Sequence, residues 1–96
     1  MSLLDLLVVW VASIHRHASS LGVVITFDQS PGDRLNDSAR LLLTRAGREG
    51  ELILWASGEA EFALVTADGA VIEEHFDQLD GQVMADLLAR ILEVCA

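Results

Sequence analysis

One cysteine, one proline and six basic residues are what this 96-residue chain has little of, and each scarcity closes off a class of function. Cys95 alone cannot form an internal disulfide and has no second thiol for a metal pair, which fits a reducing, cytoplasmic location. Pro31 alone leaves no proline-rich linker. Six basic against fifteen acidic residues give a net charge of −9, which repels nucleic acid and anionic membrane alike. A basic protein surface is the natural electrostatic partner for such a chain. Solubility is the other reading of the same charge.

Chemical motifs are absent too. There is no G-x-S-x-G elbow, and Gly47, Gly50 and Gly58 are scattered and open no helix, so no phosphate loop is expected. His15 and His17 lie two apart on an expected helix, about 200° apart around its axis, and cannot grip one metal. His75 and Glu73 share a strand face, an expected carboxylate–histidine pair of the surface kind. Glu59, Glu61, Glu73 and Glu74 supply acids, but the open face of a small sheet supplies no cleft for paired-carboxylate catalysis. The expectation is no enzyme, no cofactor and no metal. The apolar run at residues 3–12 lacks a basic leader, carries Asp5 and is too short to span a bilayer, so neither targeting nor a membrane role is expected.

What the chain does have is apolar residues, 52% of the total, enough for one domain over residues 1–96 with its own core. Residues 51–76 organise it. They hold three β-favouring runs separated by Ser57-Gly58-Glu59 and by Asp68-Gly69, a hairpin signal because glycine tolerates positive φ. Upstream, Leu3, Leu6, Leu7, Trp10, Ile14 and Ala18 recur at helical spacing, and Leu4, Val8 and Val11 widen the face. That predicts a helix capped by Ser2, buried over more than half its circumference, with Trp10 as a core anchor. Residues 23–27 predict a first strand, residues 28–37 a longer loop, residues 39–45 a second strand, and residues 47–50 a loop with Arg45 and Arg48 as a local basic spot.

A last helix starts at Asp77 or Asp80 and carries Leu79, Val83, Leu87, Leu88, Ile91 and Val94 as its stripe, with Asp86 and Arg90 paired at i,i+4. The predicted fold class is α+β: an antiparallel meander of about five strands, with an N-terminal and a C-terminal helix on one face, in the order α-β-β-β-β-β-α. Period two puts Leu41, Leu43, Leu52, Leu54, Phe62, Leu64, Ile72 and Phe76 inside. The other face collects Leu42, Ile53, Trp55, Ala63, Val65 and Val71 among Glu51, Glu61, Glu73 and His75. A solvated face normally reads polar, so this mixture marks a candidate binding surface. Ile53, Trp55, Glu59, Glu61, Glu73 and His75 are its candidate partner-binding residues, with Trp55 as anchor.

Residues 36–92 resemble the TriTu family of immunity proteins from bacterial polymorphic-toxin systems. The resemblance is carried by Trp55-Ala56-Ser57-Gly58-Glu59-Ala60-Glu61, the Asp68-Gly69 turn, and Glu74-His75-Phe76 ahead of a leucine-rich final helix. Members commonly carry a longer turn between the last two strands than this chain does. The resemblance implies a non-enzymatic immunity protein that binds and occludes a cognate toxin, and places Trp55, Gly58, Glu59 and Glu61 among the motif residues; the net charge of −9 adds the expectation that this toxin has a basic surface. An alternative is a homodimeric adaptor that buries the open sheet face on a second copy.

Overall fold

The computed structural model describes residues 2–30 and 36–96. Helix α1 (Leu3–Ser20) begins at Ser2, whose hydroxyl accepts from the Asp5 amide at 3.1 Å while the Asp5 carboxylate accepts from the Ser2 amide, a capping box closed from both sides. Gly22, at φ +78°, turns the chain out of the helix. Five strands follow in chain order: β1 (Val24–Gln29), β2 (Ser38–Arg45), β3 (Arg48–Trp55), β4 (Ala60–Val65) and β5 (Val71–Phe76). Helix α2 (Gly81–Cys95) closes the chain, capped by Asp80, whose carboxylate accepts from the Val83 amide at 2.8 Å. All strands pair antiparallel in the order β1-β2-β3-β4-β5, so the α+β meander expected from the sequence is the fold.

Two of the hairpins are built alike. The Trp55 amide donates to the Glu59 carbonyl and the Gly58 amide to the Trp55 carbonyl. One hairpin later, the Thr66 amide donates to Ala70 and the Gly69 amide to Thr66. Each is a three-residue loop whose last member is a glycine at positive φ, +100° at Gly58 and +86° at Gly69. The second turn is therefore one residue longer than the Asp68-Gly69 pair expected. The Asp68 carboxylate holds it by accepting from the Thr66 hydroxyl and the Ala70 amide. The β2–β3 connection is tighter: only Ala46 and Gly47 turn, both at positive φ. The loop expected over residues 47–50 is a correction, because β3 already starts at Arg48 and pairs it with Arg45. Likewise β1 runs on through Asp28 and Gln29, which were expected in a loop. The Pro31-Gly32-Asp33 part of that loop lies outside the described residues.

The inner face of the sheet carries Leu41, Leu43, Leu52, Leu54, Phe62 and Leu64, all buried against Leu87, Leu88 and Ile91 of α2 and Leu7 and Ala18 of α1. Helix α2 lies over β3 and its neighbours, with α1 over the edge strand β1. An edge strand offers one helix little to bury against, so α1 is covered over less of its surface than expected. Leu6, Val8 and Val9 are exposed, whereas Trp10, Val11 and Ile14 are partly buried on the core side. Arg90 also departs from expectation. Its guanidinium reaches across to Glu74 on β5 at 3.3 Å and lies 4.9 Å from the centroid of the Phe62 ring, in place of the i,i+4 pair with Asp86. A cation over a ring face adds attraction that the exposed helix pair would not. Arg48, expected in a basic spot, donates to the Ala96 carbonyl beyond the end of α2. Among the described residues no helix is long and apolar enough to cross a membrane.

Candidate functional site

The outer face of the sheet is read directly from the strand register. One row across it is Val24–Thr44–Glu49–Val65–Val71. The next is Thr26–Leu42–Glu51–Ala63–Glu73, and the third is Asp28–Arg40–Ile53–Glu61–His75. Trp55 begins a shorter row opposite Ser38 and is only partly buried, outside the cluster that packs on the core. Of the six candidate residues, Ile53, Trp55, Glu61, Glu73 and His75 therefore share this face. Glu59 sits at the hairpin end, its carbonyl taken by the Trp55 amide and its side chain exposed.

Charge on the face is dominated by carboxylates. Asp28, Glu49, Glu51, Glu61 and Glu73 stand against Arg40, which is committed to Glu51 at 2.6 Å. His75 is bracketed. Its Nδ1 lies 2.6 Å from Glu61 Oε1 and its Nε2 3.0 Å from Asp77 Oδ1. The Glu61 hydrogen bond, and after it the Asp77 hydrogen bond, raise the imidazole pKa above its ordinary value. This corrects the pairing expected from strand alternation, in which Glu73 was the partner. Residues directly opposite on neighbouring strands are closer than residues two apart along one strand, so the cross-strand Glu61 wins. Arg40 and Asp77 belong to the site and were missed: Arg40 follows from the same period-two alternation, but Asp77 lies past the strand end, where alternation gives no guide.

Two shallow hollows of about 220 and 210 Å³ flank Ala63, lined by Glu49 and Glu51 on one side and Glu61 and Glu73 on the other. A larger one of about 460 Å³ lies at the end of the sheet between the start of α1 and the β3–β4 hairpin. It is lined by Ser2, Leu3, Leu4 and Trp55, with Asp5, engaged in the helix cap, and Asp37 as its acids. Among the described residues no three acid, histidine or cysteine side chains are grouped to hold a metal ion. The Cys95 thiol is buried, and that burial pushes its pKa up, away from the reactive thiolate.

Two helices on one side of a five-stranded antiparallel sheet, and an acidic, part-apolar surface on the other, define an acidic α+β protein with one uncovered sheet face. The chain belongs to the TriTu family of immunity proteins: the family model described as "Immunity protein TriTu" matches residues 5–94. That span takes in α1 and β1 as well as the stretch from which the resemblance was drawn. No curated protein and no solved structure matches the chain.

Proposed function

We propose that this chain neutralises a cognate bacterial toxin by binding and covering it, without chemistry of its own, and that it does so with the outer sheet face. Family membership supports the toxin as partner. One observation carries the choice of surface: the two helices cover the inner face from β1 to β4, while the outer face leaves aliphatic and indole groups interleaved with carboxylates. Ile53 and Trp55 serve as apolar anchors, and Glu59, Glu61 and Glu73 as contacts for basic side chains, with His75 beside them. The net charge of −9 favours a toxin with a basic surface and speeds their encounter. An acidic face of this kind can occupy a groove shaped for nucleic-acid phosphates. Burying the same face on a second copy would set carboxylates against carboxylates, which weighs against the adaptor reading.

The test is to express candidate toxin domains from the same bacterium, with and without this chain, and to follow growth and complex formation. Protection with a one-to-one complex that weakens as salt rises is the expected result. Candidates that all kill equally in both cultures would sink the reading.

A further inference from the structure

The two free edges of the sheet are not equivalent. Helix α1 lies over β1, whereas α2 is centred over β3, two strands away from β5. In consequence Ile72, which sits in the inner row opposite Leu64, is 37% exposed; Val71 next to it, on the open outer face, is 61% exposed. Among the described residues β5 pairs only with β4.

The backbone polarity of that edge follows from its hairpin. The Thr66 amide donates to the Ala70 carbonyl, so this pair is hydrogen-bonded. Antiparallel alternation then turns the N–H and C=O of Ile72, Glu74 and Phe76 toward β4, and those of Val71, Glu73 and His75 toward the open edge. The groups able to receive another strand thus belong to the residues whose side chains lie on the acidic outer face.

We infer that the partner adds an extended strand to the free edge of β5, its basic side chains falling beside Glu73 on the outer face and its apolar ones beside Ile72 on the inner face. This rests on the neutralisation reading and specifies where and how the contact is made. A second copy is the poorer occupant. The two central antiparallel registers would set Glu73 or Glu74 against its own counterpart, and like charges directly opposite are destabilising. A basic strand meets the opposite situation on both counts, charge and exposed apolar area.

A capped hexapeptide of alternating arginine and valine is the direct probe, titrated into the labelled protein and followed by amide exchange and NMR shifts. The amides of Val71, Glu73 and His75 should become protected. Glu73→Pro removes a donor that β4 does not use and should weaken binding by about tenfold or more, whereas Glu73→Gln, which removes only charge, should weaken it by about threefold. If the proline variant fails to fold, the same peptide N-methylated on alternate amides tests the backbone requirement and should bind about tenfold more weakly. Equal binding of the N-methylated peptide, shifts confined to the Glu51 and Glu61 region, or no protection at the edge would overturn strand addition. A folded Glu73→Pro protein that still protects cells fully would also overturn it while leaving neutralisation standing. Loss of protection by the wild type would instead remove the parent reading.

Discussion

Gly50 lies directly beneath Ile91. A Cβ built on this glycine would come within 2.5 Å of Ile91 Cγ2 and 2.9 Å of its Cβ, and Ile91 is completely buried. The missing side chain on β3 is what lets α2 settle onto the centre of the sheet. Gly50→Ala must push the helix or the strand away and should cost about 1–3 kcal/mol. Urea unfolding measures this, and an unchanged midpoint would mean that the two elements are not in close contact.

The meander and its inner face were legible because period two is unambiguous where one face is leucine and phenylalanine: Leu41, Leu43, Leu52, Leu54, Phe62 and Leu64 are all inside. The same alternation placed Ile53, Trp55, Glu61, Glu73 and His75 together on the other face. What alternation could not give is how far a helix reaches. Leu6 and Val8 carry the right spacing but lie on a helix that rests over an edge strand, and Ile72 has the right parity but sits beyond the cover of α2. Glycine at residue 50 reads as a turn residue in isolation, yet it marks a close approach within a strand. The partners of Arg90 and His75 depended on which residues lie opposite, and that is set by register rather than by local spacing.

The bracketed histidine gives a pH dependence with a defined sign. Glu61 and Asp77 favour the protonated ring, so the folded-state pKa of His75 lies above the unfolded one. Its contribution to stability is complete below about pH 6.5 and is lost as pH rises through the raised folded value. Glu61→Gln should lower the His75 pKa toward the ordinary value, as read from the ring proton shifts. A midpoint that stays put would show that the short Glu61 contact is not what holds the proton. Both groups are about half exposed, so the effect on global stability is small.

Gly58 is one of the residues that carry the resemblance to the family, and its geometry is structural. It sits at φ +100°, and a Cβ there would meet Gln78 Nε2 at 2.2 Å. The glutamine side chain can swing away, so backbone strain is the dominant cost. Gly58→Ala should lose about 1–2 kcal/mol. Because the Gly58 carbonyl also accepts from the Leu79 amide at 2.7 Å, the strain reaches the segment that leads into α2. Amide exchange at Leu79 should rise along with the loss of stability. Normal stability in the variant would show that the turn accepts a side chain at this backbone conformation without strain.

Trp55 makes the opposite prediction, because it lies outside the core cluster, on the outer face opposite Ser38. The indole is half-buried and lines the hollow with Leu3 and Leu4, so removing it should cost about 1 kcal/mol of unfolding free energy, well below the cost of a core aromatic. If the indole is an anchor for the toxin, the same Trp55→Ala change should weaken the complex by about 2 kcal/mol or more, some thirtyfold in dissociation constant. Glu61→Gln and Glu73→Gln should act differently again, lowering the association rate and flattening its dependence on salt while leaving most of the apolar contact in place. Calorimetry and stopped-flow mixing with the toxin domain separate these effects. A Trp55→Ala protein that binds as tightly as the wild type, with both glutamate variants also unaffected, would move the contact off the outer face altogether. A loss confined to the glutamates would keep the face and make its charge, rather than its indole, the determinant of binding.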